Sequence, residues 1–595
     1  MIMGYQYRPL QDASRDIRLL EINHGDGSQG HISCSIVHNR LDDDPDFTAL
    51  SYVWGDAAQR RSIILEGQNV DVTQNLYCAL ERLAKFSKPQ VTKIWIDALC
   101  INQANDEEKA RQVQLMGRIY SSARQVLIWL GPEDDASVSA LHQLSLLGST
   151  LEDLKARPDY GPSICQAFVK TILECSGTNF NFAHIWTLFQ RPWWTRVWVI
   201  QEALLAKEAY VVIGDHAKDW KEVRSAWSAF EWMILYVDTD PKYQPIYDAL
   251  RDVYFKVAHF SHMNNIQDGS RQETSLFNAV FFSATGGAIQ STDARDRIYG
   301  LLGLLTERDR RRIPVDYSKA MTLEKLLFFT TKALVEDHGP DVLSYRRPTS
   351  LSPGLPSWAV DWTVKMIATI GGFGTGSMMY DASKGTTWSS TIFDATFESP
   401  SISLMGVVVG RVKDTGTVLK SLANSPSYIK DCKEWLLELE DLVCRNLDDG
   451  PRRKVVLQNL WRIPITDMGL VGRAKPEDGY PEAYEVLTGI ARPPSGDAQD
   501  DWVASASWPY RRFWRVLGHR PFILKDEDGT PGLGPRDVCP EDLVVIFSGS
   551  HVPFVIRESS HGYSLIGPAY AYGYMDGEEF TGIVAGHGLQ EFQLR

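Results

Sequence analysis

At 595 residues the chain is long enough for two to four domains, and its 44% hydrophobic and 23% charged residues exclude a disordered, collagen-like or coiled-coil polypeptide. A formal net charge of -14 offers no basic face for phosphates, so nucleic acid is not an expected partner. Ten of the 18 tryptophans lie between Trp54 and Trp232 and mark that part as the most densely packed.

The first 22 residues mix charges and lack the apolar run of a leader, which leaves no targeting segment to set aside. Residues 48–55 (TALSYVWG) read as a strand ending at Gly55, and SIILEG and QNVDV surround a Glu-Gly turn as a hairpin does. Thr73 caps a helix that carries Leu76, Leu80 and Leu83 on one face and closes before Pro89. TKIWIDALCIN is continuous and apolar, as a strand covered on both faces should be. Asn105 is placed to cap a helix over 106–123, followed by the strand QVLIWLG, helical segments to Ala206, the strand AYVVIGD and a helix over 220–236. Strands alternating with helices imply an α/β fold with a mainly parallel sheet flanked by helices, whose ligands bind beyond the carboxyl ends of the strands.

Residues 240–345 read as helical, including a helix that starts at Thr292 and the apolar stretch 275–289, which is too short and too interrupted for a membrane span. LPSWAVDW, from Leu355, is strand-like, and the leucine spacing over 434–444 is helical. The last 80 residues alternate short apolar runs with Gly, Pro and Asp turns, the pattern of a small antiparallel β-domain or barrel. The basic runs at 308–312 and 452–454 read as solvated helix ends. Eight cysteines without CxxC pairs read as reduced thiols, so a cytoplasmic location is expected and no zinc site.

Three places could carry chemistry. In RPWWTRVWVIQEALLA, read as one helix, Trp194, Trp198 and Glu202 recur every four residues and share a face. Glu202 is then either a core residue paired with an arginine or a carboxylate whose pKa an apolar wall raises in a dry site. Asp97 ends a strand, with Asn102 and Gln103 in the turn that follows; it either holds a ligand or caps the turn and pairs with Arg111. Ser51, Trp54, Gly55 and Asp56 form the third candidate, in which Gly55 either allows close approach of a ligand or makes a turn. His259 and His262 lack the acid or third ligand that a metal would need. No nucleophile elbow, Walker loop or GxGxxG is present, which removes the common hydrolase, nucleotidase and dehydrogenase readings.

Three of these segments together resemble the heterokaryon incompatibility (HET) domain of filamentous fungi: ALSYVWGD, IWIDALCINQANDEEKARQVQLMGRIYSSARQVLIWLG and RPWWTRVWVIQEALLA. TDARDRIYGLLGL, IPVDYS, LPSWAVDW and the closing GLGP, PFVIRE and YGYMDGE resemble the carboxyl part of many fungal HET proteins. The resemblance implies a HET domain over 1–240 with its core at 45–206, a helical region over 241–345, a mixed linker and helical region over 346–510 and a small β-rich domain over 511–595. It implies a role in non-self recognition, with cell death after fusion of incompatible cells. It also implies a TIR-like (flavodoxin-like) fold, some of whose members cleave NAD. WVIQEAL is similar to the TIR pattern Ser-x-Trp-Cys-x-x-Glu-Leu, with Arg196 and Val199 where that pattern has Ser and Cys.

On that likeness Glu202 is the expected catalytic residue, steadying an oxocarbenium-like transition state. Ser51, Tyr52, Trp54, Gly55, Asp56, Asp97, Asn102 and Trp198 are expected to bind substrate, NAD being a substrate and no cofactor or metal being needed. The alternative is a non-enzymatic module that self-associates or binds other incompatibility proteins. An open cleft at Glu202 separates the two.

Overall fold

The computed structural model describes residues 5–23, 32–85, 93–174, 180–237, 250, 253–254, 257, 260, 274–285, 289–346, 354–366, 370, 379–388, 396–419, 428–469, 472–491, 518–526, 529–577 and 580–595. His259 and His262 lie outside them. The chain forms two units, Met1–Leu323 with Trp362–Lys365, and Glu324–Asp361 with Met366–Arg595.

The first unit is built on a nine-stranded sheet. Its strands are β1 (Asp16–Asn23), β2 (Ser33–Arg40), β3 (Thr48–Tyr52), β4 (Arg60–Leu65), β5 (Gln68–Thr73), β6 (Lys93–Trp95), β7 (Gln125–Trp129), β8 (Ala209–Ile213) and β9 (His216–Asp219), in the order β5-β4-β2-β1-β6-β3-β7-β8-β9. The centre, β6-β3-β7-β8, is parallel throughout, as is β2 with β4. β1 pairs antiparallel with β2 and β6, and the edges β4–β5 and β8–β9 are antiparallel hairpins. The sheet is therefore mixed where a mainly parallel one was expected. The difference arises from hairpin strands at both margins, which need only short turns and no crossover helix.

The helices follow the apolar periodicity: α1 (Gln74–Lys85), α2 (Asp97–Cys100), α3 (Asp106–Ser122), α4 (Asp135–Lys155), α5 (Pro162–Glu174), α6 (Phe182–Phe189), α7 (Val199–Leu204) and α8 (Trp220–Val237). Asn105 caps α3 by accepting from the Glu108 amide at 3.0 Å. Leu76 and Leu80 of α1 close one face of the sheet over Leu50, Tyr52, Leu127 and Val212. The opposite face carries Ser51, which alternates with Leu50 and Tyr52 along β3, and Trp95, which meets Tyr120 of α3 edge-on at 5.5 Å. Two elements differ from the sequence reading. TKIWIDALCIN leaves the sheet after Trp95, and Asp97 opens the single turn of α2.

The other is RPWWTRVWVIQEALLA, a 3₁₀ turn over Pro192–Thr195 and then, after a break, the short α7. Arg196 is extended at φ -78 and ψ 136 and bridges to Gln290, whose carbonyl accepts from the Val197 amide at 3.2 Å. A tertiary backbone bond has replaced a helical one, so Trp194 does not lie on the helix that carries Glu202.

Beyond α8 the first unit adds α9 (Leu276–Thr285), α10 (Asp296–Tyr299) and α11 (Glu307–Arg312), so the helix expected from Thr292 is a single turn. The second unit has α12 (Leu323–His338), α13 (Tyr428–Asn446), α14 (Pro451–Gln458), α15 (Tyr480–Thr488) and α16 (Phe580–His587). Its eight-stranded sheet, in the order β13-β14-β15-β17-β10-β11-β12-β16, also pairs β13 with β10, bringing strands four places apart together. Those strands are β10 (Ile402–Thr415), β11 (His519–Leu524), β12 (Pro531–Pro535), β13 (Leu543–Phe547), β14 (Phe554–Ser559), β15 (Gly562–Pro568), β16 (Tyr570–Ala571) and β17 (Gln590–Leu594). The expected antiparallel pattern holds for every pair but β15 with β17. β10, the longest strand, comes from the part of the sequence read as mixed. LPSWAVDW forms turns, with Trp358 and Trp362 buried, instead of a strand.

Candidate functional site

The carboxyl ends of β3 and β6 bring Ser51, Tyr52, Trp54 and Asp97 together, and α7 lays Glu202 against β3. Neighbouring residues of a strand point to opposite faces, so Ser51 and Tyr52 divide this constellation in two.

On the α3–α7 face Glu202 is 2% exposed. Its Oε2 accepts from Ser51 Oγ at 2.5 Å, and Ser51 Oγ accepts from Trp193 Nε1 at 2.9 Å. The Tyr120 hydroxyl lies beside the same carboxyl and reaches the Leu50 carbonyl at 3.2 Å. Burial raises the Glu202 pKa to about 7; the Asp97 charge adds to this, while the Arg196 guanidinium and the Ser51 and Tyr120 hydroxyls hold it back. Arg196 donates to the Tyr52 carbonyl at the strand end, so its charge acts on both carboxylates without forming an ion pair with either among the described residues. Arg191 is committed elsewhere, to Asp134 at 2.5 Å and to the Leu130 carbonyl at 2.8 Å.

On the α1 face Asp97 accepts from Trp54 Nε1 at 2.8 Å and from the Ala98 amide at 2.7 Å, with the Tyr52 hydroxyl beside it. Burial raises the pKa of Asp97, against the pull of Arg196 and these hydrogen bonds. Burial likewise pushes the Tyr52 phenol well above its ordinary range, with Asp97 adding to it. Arg111, the partner weighed for Asp97, pairs instead with Glu107 at 2.6 Å. A pocket of about 40 Å³ opens on this face, walled by Tyr52, Trp54, Thr73, Leu76, Ala98 and Gln103. Neither Ser51 nor Glu202 reaches it.

The remaining candidates stand apart from both carboxylates. Gly55 takes φ +81 and Asp56 Oδ1 accepts from the Ala58 amide at 2.9 Å, which makes this a turn. The Asn102 side chain accepts from the Ala104 amide at 3.2 Å, and its own amide donates to Glu108 at 2.9 Å. Trp198 turns away from the cleft and donates to Asp296 Oδ2 at 3.1 Å.

That last bond belongs to a brace that sequence reasoning missed. Tyr317 donates to Asp296 Oδ1 at 2.7 Å, Gln201 of α7 accepts from the Gly303 amide at 3.2 Å, and Gln290 forms backbone bonds on both sides of the α7 break. Gly303 also meets Gly117 of α3 so closely that a Cβ on Gly117 would lie 2.6 Å from the Gly303 Cα. TDARDRIYGLLGL thus holds α7 in place, a role that helical periodicity could not announce. Trp193 and Tyr120 were missed as partners of Glu202 as well; their one signal was aromatic composition. Trp193 and Trp194 are fully buried and stack with Trp220, Trp227 and Phe260, so most of the tryptophan-rich surface is core and lines no cleft.

Residues 47–202 match the family described as Heterokaryon incompatibility protein (HET), and residues 500–583 match the Het-6 beta-barrel domain. The chain is 27% identical to the Neurospora crassa protein "Heterokaryon incompatibility protein 6, OR allele", over 97% of this chain and 96% of that one. No solved structure matches. Among the described residues no helix is long and apolar enough to cross a membrane.

Proposed function

From the match of residues 47–202 to the heterokaryon incompatibility (HET) family, we propose that the chain is an effector of non-self recognition whose HET unit works by association, with itself or with other incompatibility proteins, and leads to cell death. One observation carries the choice of association over turnover: Glu202 is 2% exposed, and the pocket beside Tyr52 and Trp54 at the carboxyl strand ends is about 40 Å³ and lies on the other face of the sheet. Small-molecule sites run from roughly 300 to 1,000 Å³, so this pocket is too small for a dinucleotide. Seven described cysteines, all unpaired, support a cytosolic setting.

A second reading, TIR-like cleavage of NAD, draws support from strand order. Numbered along the chain, the parallel strands β3, β6, β7 and β8 lie in the order 2-1-3-4 of doubly wound flavodoxin-like sheets, with Ser51 and Asp97 at their carboxyl ends. In this reading α7 moves to uncover Glu202, whose carboxylate steadies the cationic ribose as nicotinamide departs and water takes its place at C1′. Arg196 then keeps part of the carboxylate population ionised near neutral pH.

Incubation of the purified chain with NAD and NADP, with chromatographic detection of nicotinamide, decides between them. Association predicts no release above buffer from wild type or Glu202→Gln, and cell death on overexpression that Glu202→Gln retains. Nicotinamide release that Glu202→Gln abolishes, together with loss of death, would establish the second reading.

A further inference from the structure

We infer that β5, the free edge of the nine-stranded sheet, pairs with β5 of a second copy of this chain about a two-fold axis at Val70. The inference rests on the reading that the HET unit works by association, and it names the surface and the partner.

The hairpin β4–β5 keeps one unbroken register from Arg60 opposite Thr73 to Leu65 opposite Gln68, and it closes through Glu66 and Gly67, at φ 51 and 74. A two-residue turn makes Leu65 and Gln68 a hydrogen-bonded pair. Along β5 the backbone groups of Gln68 and Val70 therefore point to β4, and those of Asn69 and Asp71 point away. Ile64 obeys the same alternation: its amide donates to the Ile32 carbonyl at 2.9 Å, on the side away from β5. β5 ends the sheet, and among the described residues nothing bonds the backbone N–H and C=O of Asn69 or Asp71, both of which are exposed.

Sheet edges are ordinarily guarded by short length, lysine, proline or a bulge. The opposite edge follows that rule, since β9 has four residues and one of them is Lys218. β5 has six residues and neither lysine, proline nor bulge. Its one charge, Asp71, is drawn to its own hairpin, where Oδ1 accepts from Ser62 Oγ at 2.5 Å.

Hydrogen bonding and charge together select the occupant and the register. Asp71 opposite Asp71 of the other copy would set like charges face to face, and Asn69 opposite Asn69 would leave the Asp71 backbone unbonded. Asn69 opposite Asp71 satisfies every free group, because the two-fold repeats the pair on the other side of Val70. It also sets the Asn69 carboxamide, a donor, against the Asp71 carboxylate. An identical strand thus completes the edge with nothing left over.

Sedimentation equilibrium of the full chain between about 1 and 200 µM tests the contact. The expected result is a monomer–dimer equilibrium with a dissociation constant of about 10–100 µM, as suits a small interface, and amide exchange at Asn69 and Asp71 that slows as dimer forms. Asn69→Pro removes only an outward N–H and leaves the hairpin bonds, and should weaken dimerisation by about tenfold or more. Asn69→Asp should weaken it by about threefold or more and Asn69→Lys strengthen it by a similar factor, since each changes the charge opposite Asp71 on both sides of the axis. A loss of hairpin stability alone would not reverse sign between these two. A chain still monomeric at about 200 µM, wild-type affinity in Asn69→Pro, or equal effects of Asn69→Asp and Asn69→Lys would overturn the inference. Death on overexpression that Glu202→Gln retains, from a chain that stays monomeric, overturns the β5 contact and leaves association with another protein standing. Nicotinamide release that Glu202→Gln abolishes overturns the association reading itself, and with it the role given to β5.

Discussion

Two glutamates are buried in the first unit and are handled in opposite ways. Glu108 of α3 faces Arg18 of β1, which is 0% exposed: Arg18 Nη1 and Nη2 donate to its two oxygens at 2.6 and 3.1 Å. The amide of Asn102 adds a third donor at 2.9 Å, and Arg18 also bonds the Cys100 carbonyl at 3.0 Å, so the clasp pins the β6–α3 connection. Among the described residues Glu202 makes no ion pair with a guanidinium; hydroxyls and the charge of Arg196 act on it instead. A carboxylate met by a fork-shaped cation is held by paired, charge-assisted hydrogen bonds. One surrounded by hydroxyls sits near its titration point, with a pKa of about 7.

Breaking the committed pair should have the largest effect. Arg18→Met leaves Glu108 buried and uncompensated, and loss of one partner of a buried pair costs about 3–5 kcal/mol. Hydrogen exchange over the β6–α3 connection should rise with the global loss of stability. A destabilisation under about 1 kcal/mol, measured by urea unfolding, would erase the contrast between the two sites.

Glu202→Gln should act in the other direction, and only at high pH. The folded-state pKa of Glu202, about 7, lies above its ordinary 4.5, so the protonated form favours folding. Its contribution is complete below about pH 4.5 and is lost as pH rises through 7. The loss amounts to about 3 kcal/mol at 1.36 kcal/mol per unit. Glutamine cannot ionise, so the variant should match wild type near pH 5 and exceed its stability at pH 8. Parallel pH profiles for the two proteins would show that Glu202 does not titrate there.

Asp296 tests whether the brace keeps Glu202 sealed. Its two oxygens each accept one hydrogen bond, from Trp198 and from Tyr317, and an asparagine can accept at only one while its NH₂ meets a donor at the other. Asp296→Asn should therefore cost about 1–3 kcal/mol and raise exchange of the α7 amides before those of β7. Equal exchange in both elements would mean that α7 is held by its own packing.

The contrast also explains what could be read in advance. β3, β7 and β8 are short apolar runs whose strand character is written in their own residues, and they stand where periodicity placed them; Asn105 caps α3 as its side chain requires. Ser51, Asp97 and Glu202 were legible as candidates because each sits at the end of such an element. Arg18 was not, since a buried arginine inside the alternation of β1 makes sense only once Glu108, 90 positions later, is in view. The break at Arg196 has the same origin: it depends on Gln290, and the segment RPWWTRVWVIQEALLA contains no residue that would end a helix there. The sharing of Glu202 and Asp97 between two faces of the sheet follows from strand alternation, but only after β3 is known to carry both partners, Ser51 and Tyr52.

The smallest expected effect is Tyr120→Phe, which removes one oxygen and leaves the ring against Trp95. The hydroxyl contributes a bond to the Leu50 carbonyl and a contact that favours the ionised form of Glu202. The first of these is independent of pH and is worth about 1 kcal/mol. The second matters only when Glu202 carries charge, because it helps hold the pKa below the level that burial alone would set. Without it the pKa rises further, and the pH-dependent loss of stability extends to higher pH. Tyr120→Phe should therefore cost more at pH 8 than at pH 5, the reverse of Glu202→Gln, and in the double variant its cost should be the same at both pH values, because no charge remains at residue 202. If the cost of Tyr120→Phe is the same at both pH values in urea unfolding, the hydroxyl serves Leu50 alone and the environment of Glu202 is set by Ser51, Arg196 and burial.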